Sequence, residues 1–530
     1  MTHFPSDRIR IATLFIAAVT LTVAGCSGPQ TDSPASPQAP TTKTVLTFLH
    51  FNDTYTYGPN AQGVGGFAAL KTLLDRQIKA APGPTVVTFG GDAISPTELA
   101  GVTKGAHMIE FLNSVGVSVA VPGNHEFDFG PPTLEALLRD SKFPWLAANV
   151  ISTSNAVCCG MKDHVIIDMG GIKVGFFGLM TLDTEWAGRL QDNIVQPVAA
   201  VTAEQVKALR SAGAEVVVAV SHISFEEDRT LSETAGIDLV LGGHEHDGYA
   251  YFNSNKTTLA LKVGWNSENL GVVELPVVRT DKGVVVKAPS WRVLSVQDIP
   301  EDPTVAALAK KNDELRDTLR APIGTTDAPF SAVLALVKGV ETPIGAAAAD
   351  AMRQKTGADV ALLHGFGFRE MEKQAGQSIS RLDLFEALPF NNDVELLDLS
   401  GVQLLDALEH AVSGFGDPNP RLLSRFVQVS GISFKVAPAG KARPAGCNPG
   451  SKGTRVSAVM VGGSPIKPTG TYRVAVADFM AEGGNGFCML AGAQRNPFTG
   501  DHKLVSYLAE YITGIKTIVQ PAPRITGLPR

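Results

Sequence analysis

From Thr44 to about Ser295 the chain alternates short β-branched and aromatic runs with segments whose apolar positions recur at helical spacing. The runs include "TVLTFLHF", "PTVVTFGG", "VSVAVPG", "IKVGFFGL", "AEVVVAVSH" and "IDLVLGGH". Apolar stretches of this length, bounded by Gly, Pro, Asn or Asp, read as buried strands. Between them, Phe67 to Ala80, Met108 to Val115, Pro132 to Arg139 and Ala203 to Ala212 read as amphipathic helices. The alternation predicts an α/β fold with strands buried on one or both faces.

A charged helix is expected next, over about Pro303 to Leu319, and its polar faces suit a bridge between two domains. From about Pro322 a second α/β unit follows. Its expected helices are Pro343 to Lys355, Leu382 to Leu388 and Gly401 to Ser413, and its expected strands are Asp359 to Leu363, Asp393 to Leu399, Val427 to Lys435 and Thr471 to Ala477. The organisation is thus a leader over 1–26, a tether over 27–43, a first domain over 44–300, a linker helix over 301–321 and a second domain over 322–530.

The leader is an address: Arg8 and Arg10 precede the apolar run Ile11 to Val23, which ends in "VAGC". That run is short of the about 20 apolar residues a membrane span needs. It resembles a bacterial lipoprotein signal, with Cys26 as the lipidated first residue; the alternative is an ordinary secretory signal with an incidental Cys. Either makes the protein exported, and the first makes it a cell-envelope lipoprotein held to the membrane only by its lipid. The stretch "SGPQTDSPASPQAPTTK" lacks aliphatic residues and suits an extended tether. In an oxidising compartment Cys447 and Cys488 are the natural disulfide pair, whereas the adjacent Cys158 and Cys159 are equally consistent with a vicinal bridge or two thiols.

Composition narrows the function. With 530 residues, 44% hydrophobic and 18% charged, the chain is long enough for two well-buried domains. The net charge is -7 and no basic run occurs, which gives nucleic acid no electrostatic footing. A small anion remains a possible substrate where local cations attract it, and the protein is expected to be monomeric.

Polar clusters stand at strand ends: "HFNDTYTYG" with Asp53, "FGGDAISP" with Asp92, "PGNHEFD" with Asn124, His125 and Asp128, "VSHIS" with His222, and "LGGHEHD" with His244 and His246. In open α/β sheets the carboxyl ends of strands meet along one edge, so these side chains can converge. Two carboxylates, an amide and three imidazoles suit Mn, Fe, Zn or Co better than Mg or Ca. Six such ligands exceed what one open catalytic ion needs, and two ions about 3.5–4 Å apart polarise a phosphate and generate hydroxide near neutral pH.

In this order the motifs strongly resemble the calcineurin-like metallophosphoesterases, and "GNHEFD" with "GGHEHD" is similar to their 5'-nucleotidase and UDP-sugar hydrolase branch. The resemblance implies a four-layer α/β/β/α catalytic domain with two divalent ions, a linking helix and a C-terminal domain supplying a nucleoside pocket. It implies that Asp53 and His246 hold one ion, that Asp92 bridges, and that Asn124, His222 and His244 hold the other. His125 would then donate to the phosphate, oriented by Asp128. The family has a His where this chain has Tyr55, which is either a ligand as the phenolate or a hydrogen-bond partner of water on the ion.

In the C-terminal half, "LLHGFGFR" stands where the family has an "NGGGIR"-like loop, so Arg369 would face an anion, with His364 and Phe366 replacing Asn and Gly. "ALPFNND" implicates Phe390 and Asn392, and "ADFMAEGGNGF" implicates Phe479 and, at the ribose-binding Asp position, Asn485. Lys338 matches an upstream Arg. Without the resemblance Phe390 and Phe479 would read as core. The expected activity is 5'-nucleotidase-type phosphomonoester hydrolysis in nucleotide catabolism. The alternatives are a nucleotide-sugar pyrophosphohydrolase or cyclic-nucleotide phosphodiesterase on the same site, or a surface nucleotide-binding protein without turnover.

Overall fold

Two six-stranded sheets face each other in the N-terminal half of the computed structural model, which describes residues 42–182, 189–417, 419–444, 446, 452–497 and 502–528. The first contains Thr42–Phe51, Thr85–Phe89 and Val119–Ala120 in parallel, flanked by the antiparallel strand Asn269–Thr280, on which Gly283–Val286 and Ser290–Ser295 also pair. The second is built on Lys173–Met180, Val216–His222, Leu239–Gly242 and Leu259–Val263, with His164–Asp168 and Gly248–Phe252 at its edges.

Side chains alternate along these strands with period two, so each strand feeds two cores. Leu46 and Phe48 meet Val174, Phe176, Val218 and Val220 between the sheets. Leu49 and Phe51 face outward onto the helices Phe67–Ala80 and Ala106–Val115. Phe177, Val217 and Ala219 pack under the helices Val198–Ser211 and Phe225–Ser232. Helix, sheet, sheet and helix therefore stack in the four layers expected.

The helix Pro303–Thr318, capped by Asp302 through the amides of Thr304 and Val305, packs its buried Val305 on the outer helical layer. The C-terminal half has a five-stranded sheet in which Val360–His364 lies between Val427–Ser430 and Thr471–Ala477, followed by Val394–Ser400. Helices Pro343–Thr356 and Leu504–Ile515 cover one face and Gly401–Ala411 the other.

Two sequence expectations change. The tether was drawn to Lys43, yet Thr42 and Lys43 already belong to the first strand, because the long strand Asn269–Thr280 offers Arg279 and Val278 as partners. The single strand expected over Val427 to Lys435 is two, Val427–Ser430 and Ile432–Val436, in different sheets. Gly431 separates them at φ +75°, where a Cβ would stand 2.1 Å from the Asp359 carbonyl oxygen. The leader, Cys26 and most of the tether lie outside the described residues, as does Cys447 of the expected Cys447 and Cys488 pair. Cys158 and Cys159 form the vicinal bridge. Among the described residues no helix is long and apolar enough to cross a membrane.

Candidate metal centre

The strand ends converge from both sheets and not along the edge of one: Asp53 follows Thr42–Phe51 and Asp92 follows Thr85–Phe89 in the first sheet, and His222 closes Val216–His222 in the second. Ligand atoms of Asp53, Asp92 and His222 lie within 4.8 Å of one another, and all three residues are buried. His246 Nε2 is 3.5 Å from Asp53 Oδ1, and the His244 ring meets that of His222 at 5.1 Å. Glycines permit this closeness: a Cβ at Gly123 would sit 2.1 Å from Asp92 Oδ1 and 2.6 Å from His222 Nε2.

Whether these residues suit a cation is decided by their unspent atoms. Asp53 Oδ1, Asn124 Oδ1 and His222 Nε2 are buried without a hydrogen-bond partner. Such groups are costly unless something absent from the polypeptide meets them. His222 donates from Nδ1 to the Gly90 carbonyl at 2.7 Å, which turns Nε2 toward the cluster, 3.3 Å from Asp92 Oδ2. The donor set, mixed oxygen and imidazole nitrogen, fits divalent transition ions.

Electrostatics tell the same story. Burial raises the Asp53 carboxyl, with the Asp92 charge adding to it. Burial also opposes charge on Asp92, but His222 and His125 outweigh it and hold Asp92 well below the usual carboxylate range. The His222 imidazole is raised to about 9 because Asp92 and Asp53 overcome its burial, whereas burial lowers His244 to about 3. The carboxylates and imidazoles are therefore close enough to shift one another strongly.

The backbone is also specialised. Asp53, Asp92, His244 and His246 have φ of 49°, 61°, 102° and 59°, a region non-glycine residues seldom occupy and one that clusters at functional sites. Glu126 fixes one of these bends: its buried carboxylate accepts the amides of Asp92, Ala93, Ile94 and Gly123. Asn52 fixes another by donating to Asp53 Oδ2 at 2.7 Å and to the Gly264 carbonyl at 2.6 Å. Lys262, 1% exposed, donates to Glu245, to Asp228 at 3.0 Å and to the Ile223 carbonyl at 2.6 Å, and so ties the His222 strand end to the His244–His246 loop.

His125 Nδ1 lies 2.8 Å from Asp128 Oδ2. Burial lowers the His125 pKa, but Asp128 and Asp92 outweigh it and the net shift is upward. The Tyr55 hydroxyl donates to Asp92 Oδ2 at 2.8 Å, and its oxygen is 2.9 Å from His246 Nε2. Burial and the Asp92 charge push this phenol well above its ordinary value, so it is a protonated donor.

The C-terminal half reaches this centre directly. Phe390 stacks on His125, centroids 6.3 Å apart and planes at 16°. The Arg369 guanidinium lies 4.5 Å over Phe390, but its Nη1 donates to the Phe366 and Phe368 carbonyls at 2.8 Å each and so braces its own loop. Phe390, Phe479 and Phe366 form one apolar cluster, with Phe366 stacked on Phe479 at 5.9 Å. Phe390, Asn392 and Phe479 line a cavity with Asp128, Arg189, His364, Phe366 and Gly367.

Lys338 and Asn485, both expected at the substrate, do not line that cavity. Lys338 lies against Gly365, and Asn485 is turned toward Ser424, whose hydroxyl donates to its Oδ1 at 3.4 Å. Sequence reasoning also missed Arg189, which reaches Asp478 from the other half of the molecule.

Fold and cluster together define a metal-dependent phosphoesterase. A family model for the calcineurin-like phosphoesterases matches residues 46–248, and one for the 5'-nucleotidase C-terminal domain matches 322–492. The chain belongs to the calcineurin-like phosphoesterases, in the branch that carries the 5'-nucleotidase C-terminal domain. It is 27% identical over 520 residues to a snake venom 5'-nucleotidase of Naja atra, covering 88% of this chain and 95% of the relative. It is 26% identical over 529 residues to a 5'-nucleotidase of Vibrio cholerae, covering 89% and 90%. The crystal structure of a 5'-nucleotidase precursor from Thermus thermophilus superposes with a TM-score of 0.66 at 25% identity, covering 91% of this chain and 99% of that one.

Proposed function

We propose that the protein is a 5'-nucleotidase-type phosphomonoesterase of the cell envelope, tethered through Cys26, with a catalytic unit over 44–300 and a substrate-binding unit over 322–530. The observation that carries the reading is the set of bare, buried ligand atoms on Asp53, Asn124 and His222 beside the His125–Asp128 pair. A protein that only bound nucleotides would need neither.

Asp53 and His246 would hold one divalent ion and Asn124, His222 and His244 the other, with Asp92 shared. Bound there, the two ions supply Lewis-acid polarisation of the phosphate and a nucleophile near neutral pH. With Nδ1 engaged by Asp128, His125 donates from Nε2 to a phosphate oxygen as charge builds in the transition state. Tyr55 stays protonated and occupies one lone pair of Asp92, so the ion at Asp53 is held less tightly than an imidazole at position 55 would hold it. Phe390 and Phe479 present rings to the base, Asn392 offers an amide beside them, and Arg369 shapes the loop between.

The test is phosphate release from a nucleotide panel with Mn, alongside a phosphodiester. Release from AMP without diester cleavage is expected. Diester cleavage with no release from AMP would favour the phosphodiesterase, and no release from any compound would leave a binding protein.

A further inference from the structure

The strand Val360–His364 runs through the C-terminal sheet and ends on a histidine that the chemistry above does not use. His364 is 1% exposed, and neither Nδ1 nor Nε2 has a hydrogen-bond partner. Burial lowers its pKa to about 3, so the ring is neutral, with one donor and one acceptor.

Other buried histidines show how a structural imidazole behaves in this chain. His50 pairs with Thr88 and the Gly242 carbonyl, His107 with Thr103, and His410 with the Asn485 carbonyl. Among the described buried histidines, the other ring nitrogen without a hydrogen bond is Nε2 of His222, which lies 3.3 Å from Asp92 Oδ2 at the candidate cation position. The pattern in this molecule is that a buried ring nitrogen is either paired or turned toward a ligand.

The surroundings of His364 say what kind of ligand. Its ring is 5.4 Å from Phe479 and 6.1 Å from Phe366, in the cavity lined also by Phe390, Asn392 and Arg189. Aromatic faces and an unspent polar edge suit a flat heteroaromatic ring with its own donors and acceptors. The cavity is about 10 Å³ here, room for one water, so such a ring enters by displacing what now fills the slot, including the Phe366 stack on Phe479.

We infer that His364 is a specificity-determining residue whose imidazole hydrogen-bonds the polar edge of a nucleobase held among Phe366, Phe390 and Phe479. This rests on the nucleotide reading above and adds which side chain reads the base. Asn at the same position keeps a donor and an acceptor; Phe keeps the shape and loses both.

The experiment compares wild type, His364→Phe and His364→Asn, with His364→Ala as a second apolar variant should the Phe form fail to fold. Two quantities are read: the ratio of kcat/KM for AMP to that for phenyl phosphate, and the affinity for adenosine, which carries no phosphate. In the apolar variants both are expected to fall about 10-fold, the size of one lost hydrogen bond, and to return toward wild type in His364→Asn. The ligand-free His364→Phe protein is expected to melt higher, since it no longer buries two unmet polar atoms.

An unchanged ratio with unchanged adenosine affinity would overturn the inference and leave a cavity that holds a water. Equal loss on both substrates with a lower melting temperature would overturn it in favour of a structural role. Wild type that cleaves phenyl phosphate but neither cleaves nucleotides nor binds adenosine would sink the nucleotide reading itself, and that is visible before any variant is made.

Discussion

Arg189 and Asp478, 289 positions apart in the chain, join through two charge-assisted hydrogen bonds at 3.0 and 3.2 Å, one residue from each half of the molecule. The pair is largely buried, and Asp478 Oδ1 also accepts from Asn392 at 2.6 Å. Removing one partner leaves the other charge buried and uncompensated, a cost of about 3–5 kcal/mol. Arg189→Met is therefore expected to lower the melting temperature and raise KM for nucleotide, and Arg189→Met with Asp478→Leu to recover much of the stability. A double-mutant cycle with zero coupling would remove the clasp from the account.

Glu126 should behave as a positioning residue. In Glu126→Gln one of the two carboxylate oxygens becomes an NH₂ group facing amides that need an acceptor. Loss of such outer partners costs about 10- to 100-fold in metal affinity or activity. The check is Mn affinity by titration together with kcat; variants that match wild type in both would show that the Asp92 bend holds itself.

His125→Ala is expected to lower kcat by about 10²–10⁴, the range of a positioned proton donor. Asp128→Asn should cost less, because the imidazole remains and only its orientation and charge support are lost. The pH profile of kcat separates them, since losing Asp128 removes an upward influence on His125 and should move the alkaline limb, where the donor loses its proton, to lower pH.

Tyr55→His should tighten the ion at Asp53, because an imidazole is a better ligand than a protonated phenol. Metal retained after exhaustive dialysis is the measurement. Equal retention and equal activity in the two proteins would put position 55 outside the coordination sphere.

Stability should fall in acid through buried imidazoles remote from the metal centre. Burial lowers His364 to about 3 and His410 to about 4, against an ordinary value near 6.5 in the unfolded chain. Between those limits the unfolded state binds more protons, so stability is complete above about pH 6.5 and declines as pH falls toward 3–4. Each such group contributes up to about 1.4 kcal/mol per pH unit in that window. His364→Phe should flatten the slope of melting temperature against pH; an unchanged slope would show that His364 does not titrate on unfolding.

The sequence was most legible where chemistry sits at a strand end. Asp92 and His222 both follow β-branched runs, which the motifs announce, but their strands lie in different sheets, and it is the packing of one sheet on the other that brings the two residues together. Glu126 stood in plain view within "GNHEFD", yet its work is done on amides about 32–34 residues away, which no spacing reveals. Lys262 gave a fainter signal, one cation inside the apolar strand "LALKV". Arg189 gave none, because its meaning lies wholly in Asp478 across the molecule. The break at Gly431 was missed for a related reason: a run can look continuous while its two halves find partners in different sheets.

The left-handed backbone at Asp53, Asp92, His244 and His246 constrains how this centre can change over generations. Glycine, asparagine and aspartate enter that conformation with little penalty, whereas a β-branched or bulky side chain must first pay in backbone distortion. Drift at these sites should thus favour those three residues, of which glycine preserves the bend while removing the ligand atom. A descendant that lost its ions by that route would still fold, and its history would remain readable in a loop shaped for a cation it no longer holds.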